Sequence, residues 1–133
     1  MDTNDLSSVS CNSEKDRLAV IGAKVDYCMQ QYRPYIMYGF NLHQLSVITN
    51  IPETDIELFF GQSPQPFDQY LSEWRVKFAK NLMNTGKVHG METKIIGLLS
   101  GFSSARKFIE AFQNIEGISP ENYHLQIIKS KMV

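Results

Sequence analysis

The chain has 133 residues, 43% of them hydrophobic and 20% charged, which is enough to bury one ordinary core and too little for a second large domain. A formal net charge of −1 gives no overall attraction to nucleic acid, and the sequence has no run of about 18 apolar residues for a membrane span. The opening MDTNDLSSVSCNSEKD carries neither a basic segment nor an apolar one, which excludes a secretory signal and makes the cytoplasm the expected location.

Residues 1–12 are polar and aperiodic and read as a disordered leader. Ser13, with Asp16 three residues on, is an N-terminal capping signal for a first helix whose stripe is Leu18, Ile21, Val25, Cys28, Met29 and Tyr32. Pro34 ends that helix by keeping Arg33 out of the helical region. Asn41 then caps a short helix, LHQLSVIT, with Leu42, Leu45 and Ile48 inward. Asn50 tolerates a left-handed backbone and, with Pro52, marks a tight corner before a helix bearing Ile56, Phe59 and Phe60. After GQSPQP, the spacing Phe67, Tyr70, Leu71, Trp74, Phe78, Leu82 predicts a long helix over 67–83, with Trp74 in the core. A short helix with Ile96 and Leu99 follows NTGKVHG, then a corner at Gly101 and a helix bearing Phe108, Ala111, Phe112 and Ile115. Gly117 stops it, and Ser119-Pro120 opens a last helix through Tyr123, Leu125 and Ile128. With no period-2 run, the expected class is all-α, of about seven helices.

Two corners share one plan. Asn50-Ile51 leads to Ile56 and Phe60, and Gly101-Phe102 leads to Phe108 and Phe112, each a short helix, a left-handed corner and a second helix. That is the helix-turn-helix plan, in which the first helix braces and the second lies in the major groove, here at about 41–62 and about 92–115 on either side of the 67–83 linker helix. Charge is uneven along the chain: residues 1–70 hold nine acids and four bases, the remainder five acids and nine bases, so a polyanion would dock on the C-terminal half.

The stretch GFSSARKFIEAFQNIEGISPENY resembles the second unit and end signature of the AraC-type transcription regulators, of the form G-F-x5-F-x3-F-x4-G-x-x-P-x-x-Y. Those places are held by Gly101, Phe102, Phe108, Phe112, Gly117, Pro120 and Tyr123. FDQYLSEWRVKFAKNLM is similar to the family's linker helix at Tyr70, Arg75, Ala79 and Leu82, and YRPY with LHQLSVITNI looks like the branch in which this module ends a larger sensor protein. The resemblance covers residues 32–124 and implies an AraC-type DNA-binding domain over 13–133, double-stranded DNA as partner and RNA polymerase as a candidate second one. A sensor or dimerisation domain normally accompanies such a module; only about 30 residues precede the first match, so the expectation is a fragment of a longer regulator or a small stand-alone member.

In the second unit, Ser103 and Ser104 suit phosphate oxygens, and Arg106 has the forked donors that read guanine O6 and N7. Lys107, Gln113 and Lys94 suit phosphates. The first unit departs from the family: PETDIELFF carries Glu53, Asp55 and Glu57 and no base, and acids facing phosphates repel them, leaving Thr54, His43 and Gln44 as its polar donors. The first unit is therefore expected to contribute little. Arg75, Lys77 and Lys80 on the linker helix reach either the DNA backbone or structural partners. His43, His89 and His124 are scattered and expected at the surface or an interface; no Cys/His spacing suits a metal, Cys11 and Cys28 read as reduced thiols, Cys28 in the core, and neither a catalytic set nor a cofactor is expected. The competing class is a helical protein-interaction module that kept the fold and lost DNA affinity.

Overall fold

A computed structural model describes residues 10–131, all of whose regular elements are helical: α1 Ser10–Tyr32, a 3-10 turn Pro34–Ile36, α2 Leu42–Thr49, α3 Glu53–Gln62, α4 Phe67–Thr85, α5 Thr93–Leu99, α6 Ala105–Glu116 and α7 Pro120–Lys131. They form two compact units. The first takes in α1 and residues 41–64; the second takes in residues 34–40 and the chain from Gln65 onward.

In the first unit, α1 packs on α2 and α3, burying Ile21, Val25, Cys28 and Met29 against Leu45, Ile56 and Phe60. Three expectations are corrected. Ile48, expected inward, is 42% exposed, and Leu45 is the buried residue of α2. Ser10–Asn12, expected in the leader, lie inside α1, so Ser13 is not its first residue. No Pro or Gly occurs between Ser10 and Asp16, so a helix nucleated by its packed face propagates outward through polar residues. The rest of the expected leader, 1–9, lies outside the described residues. Tyr32 is 67% exposed, because α1 ends there and Arg33 turns into the left-handed region at φ 51° rather than the extended one. Asn41 caps α2 as expected: its side chain accepts from Gln44 N at 2.9 Å, while Asn41 N donates to Gln44 Oε1 at 3.2 Å. Asn50 is left-handed (φ 59°, ψ 32°), and Ser46 Oγ donates to Ile51 O at 2.6 Å, tying the corner to the helix before it.

In the second unit, α4 packs on α5, α6, α7 and the 3-10 turn. Its buried residues are Leu71, Val76, Ala79 and Met83, a face turned away from most of the predicted stripe, of which only Leu71 is buried. Trp74 is half-buried, stacked on Tyr35 with ring centroids 5.8 Å apart and its other surroundings open enough for Lys77 Nζ to sit 4.9 Å from the ring. Val76, Ala79, Met83, Val88, Ile96, Phe102, Phe108 and Phe112 make one cluster, each phenylalanine contributing on the order of 1.5–3 kcal/mol. Leu99 is 46% exposed and Leu125 47%, against expectation. α7 faces the core through Pro120 and His124, four apart, and Leu125 is one helical step out of phase.

Gly97 sits in mid-helix because a Cβ there would come within 2.5 Å of the Phe108 ring. Gly101 is more constrained: φ is +103°, and a Cβ would overlap the Tyr35 carbonyl oxygen and lie 2.8 Å from the Ile36 Cα. We expect Gly101→Ala to destabilise the second unit by more than about 3 kcal/mol, because backbone strain and overlap with main chain act together. Gly117→Ala, at φ +83° with open space around it, should cost only about 1–2 kcal/mol. Urea midpoints of the two variants measure the difference, and equal losses would contradict it.

His124, expected at the surface or an interface, is instead buried within the second unit at 6% exposure, its ring 5.3 Å from that of His89, with no hydrogen-bond partner for Nε2. Burial first, and then the charge of His89, hold its pKa below the ordinary histidine value. An unfolded imidazole takes up its proton near pH 6.5, so this group leaves stability unchanged above that pH and lowers it as the pH falls below. Between pH 7.5 and 5.5 the wild-type urea midpoint should therefore drop more than that of His124→Leu; parallel drops would show that His124 accepts its proton without cost.

Candidate nucleic-acid interface

The local sequence of α6 explains how it is both anchored and exposed. Ser104 is extended (φ −155°, ψ 159°) and its Oγ accepts from Lys107 N at 3.2 Å, satisfying one of the free amides at the helix start. Phe108 and Phe112, four apart, are fully buried, in a chain of ring contacts running Phe102, Phe108, Phe112, Tyr123 at 5.3, 5.7 and 5.4 Å. At 100° per residue, Arg106, Glu110 and Gln113 fall on the opposite side, with Lys107 and Asn114 flanking them. All five are exposed. Ile109, 39% exposed, adds an apolar point beside Gln113 of the kind that meets a thymine methyl.

Around this face the bases separate into held and free. Arg75 Nε donates to Tyr35 O at 2.8 Å, and its guanidinium lies 5.8 Å from the Phe102 ring centroid, so it ties the 3-10 turn to the Gly101 corner. Burial lowers its pKa, the Asp68 carboxylate acting in the opposite sense, and a guanidinium remains charged throughout. Lys80 Nζ is 3.0 Å from Glu116 Oε2 and 5.8 Å from the Tyr123 ring centroid, a pairing that pins the C-terminal end of α6 to α4. Lys77 rests on Trp74. Of the three linker-helix bases, two have structural partners and the third an aromatic one.

The second-unit residues singled out in the sequence lie on two helices packed on each other. Ser103 and Ser104 open α6, Arg106, Lys107 and Gln113 lie along it, and Lys94 sits on α5, 62% exposed and 3.7 Å from Glu92. Ser104 has its oxygen engaged in the cap, leaving only its hydroxyl proton for a phosphate. Arg106, 86% exposed, has its Nε 3.2 Å from Glu110 Oε2. Glu110 and Asn114 were not singled out; the four-residue spacing from Arg106 to Glu110 was the available signal for the first.

In the first unit, Thr54 is exposed near the start of α3. Gln44 holds the capping box with its side-chain oxygen, so only its amide NH2 is unspent. His43 Nδ1 lies 3.1 Å from Glu53 Oε1. Asp55 pairs with Arg17 of α1 at 3.2 Å, a partner 38 residues away, and is 27% exposed. The acids of PETDIELFF thus do not all confront solvent: Asp55 is turned to α1, Glu53 is shared with His43, and Glu57 is exposed. Among the described residues no three His, Cys, Asp or Glu side chains are grouped to hold a metal ion, and no helix is long and apolar enough to cross a membrane.

No family model matches the chain, and no curated protein matches it in sequence. Solved structures share its fold, two of them as follows. A DNA-binding transcriptional dual regulator from Escherichia coli K-12 is 20% identical, with a TM-score of 0.65 over 78% of this chain and 94% of that one. A protein of unknown function from Listeria innocua is 24% identical, with a TM-score of 0.59 over 79% of this chain and 94% of that one. At these identities the likeness is one of fold.

Proposed function

We propose that the chain is the sequence-specific DNA-binding domain of a bacterial AraC-type transcription regulator, acting in the cytoplasm and contacting double-stranded DNA mainly through its second helix-turn-helix. The observation that carries this is the outer face of α6, where Arg106, Lys107 and Gln113 project from a helix held by two fully buried phenylalanines. A rigid helix presenting a forked donor, an ammonium and an amide is what base and phosphate contacts in a major groove require. The fold shared with a DNA-binding transcriptional regulator supports the same role. In the first unit, Thr54, His43 and Gln44 make a sparse donor set beside Glu53 and Glu57, which supports a minor contribution from that unit.

A helical protein-interaction module is the second reading, and one observation favours it. Both bracing helices expose apolar side chains: Val47 at 67% and Ile48 at 42% on α2, Leu98 at 53% and Leu99 at 46% on α5. RNA polymerase, or a sensor domain elsewhere in a longer regulator, is a partner such faces would suit.

Affinity for random-sequence duplex across a salt series separates the two readings. DNA binding should weaken steeply, log K falling by about 0.9 per phosphate neutralised for each tenfold rise in salt; no binding at low salt would favour the interaction module. On a site selected from a random library, Arg106→Ala should cost about 1–3 kcal/mol at one guanine and relax the preference there. Lys107→Ala should weaken all sequences alike and reduce the salt slope by about 1, while Thr54→Ala should change little. An unchanged base preference in Arg106→Ala would remove that residue from the readout.

A further inference from the structure

The reading face of α6 carries one carboxylate amid donors. Glu110 is 60% exposed, one helical turn beyond Arg106, and its Oε2 meets Arg106 at Nε, 3.2 Å away. Lys107, three residues before Glu110, is an alternative partner that the structure does not use. Glu116, the other acid of α6, is 21% exposed and committed to Lys80. Electrostatics alone argue against placing a lone carboxylate where phosphates approach, about one charge per 1.7 Å of duplex axis.

The atom through which Arg106 is held gives Glu110 a use. A guanidinium gripped at Nε keeps both terminal amino groups, and so the whole two-pronged edge, available for guanine O6 and N7. We infer that Glu110 is a positioning residue for base readout, clamping Arg106 at Nε so that its terminal fork meets guanine already oriented. This rests on the DNA-binding reading above.

In free protein such a pair is weak, an exposed i,i+4 contact screened by water and salt. Its weight grows on docking, when the groove displaces water and the effective dielectric falls. A long side chain fixed before contact also loses less rotamer freedom when it binds. Glu110 therefore trades non-specific affinity, through its repulsion of phosphates, for discrimination at one base pair.

Those two effects have opposite signs, which separates positioning from simple damage to the helix. The quantity to measure is the ratio of affinities for a selected duplex and for the same duplex with adenine in place of the guanine lost to Arg106→Ala. Glu110→Ala should lower this ratio about tenfold while raising affinity for random-sequence duplex at low salt. Glu110→Gln, whose amide oxygen still accepts from Nε, should keep most of the ratio and show the same gain on random duplex. In this ratio Arg106→Ala with Glu110→Ala should match Arg106→Ala alone, because the two residues act as one unit in the readout. A ratio unchanged in Glu110→Ala, or one that falls together with random-duplex affinity, overturns the positioning role and leaves the DNA reading standing. Failure of the wild-type chain to select any duplex overturns both.

Discussion

At Gly101 the backbone turns with φ of +103°, and the space a side chain would need is filled by the Tyr35 carbonyl oxygen and the Ile36 Cα. The same carbonyl accepts from Arg75 Nε, and the Arg75 guanidinium lies over Phe102, the residue after the turn. Three segments distant in sequence therefore meet at a point with no slack: the 3-10 turn, the middle of α4 and the corner before α6. The direction in which α6 leaves that corner follows from it, and so does the side of α6 that stays in water. Gly97 works to the same end one turn earlier, its missing Cβ letting the Phe108 ring close on α5.

Electrostatics then sorts the basic residues into those that hold the fold and those left to act. Arg75 and Lys80 serve the interior of the second unit, one through a backbone carbonyl and one through Glu116. Arg106 and Lys107 remain on the outer face. In the first unit the same sorting works on acids. Arg17 takes up Asp55 and His43 approaches Glu53, so the acidic surplus written in PETDIELFF is partly compensated within that unit, and its helix start presents few donors.

Much of the fold was legible because the signals are local. The Asn41 cap, the left-handed corner at Asn50 and the helix end at Gly117 each depend on the chemistry of one or two residues, and each lies where the sequence put it. Faces were read less well where two apolar stripes compete on one helix. On α4 the aromatic spacing drew attention to Phe67, Trp74 and Phe78, while the fully buried side chains are Val76, Ala79 and Met83, selected by what packs against them. His124 gave no signal of its own, since an isolated histidine between Tyr123 and Leu125 becomes buried only when α7 docks.

By itself the sequence determined the order of helices, the Asn41 cap, the Gly117 stop and the two corners, because helical periodicity and the conformational preferences of Asn, Gly and Pro act within a few residues. Which charged side chains are held by partners distant in sequence was decided only by tertiary structure. Lys80 and Glu116 are 36 residues apart, Arg17 and Asp55 38, and Arg75 and the Tyr35 carbonyl 40. Such pairings are set by the packing of whole helices, which no local pattern encodes.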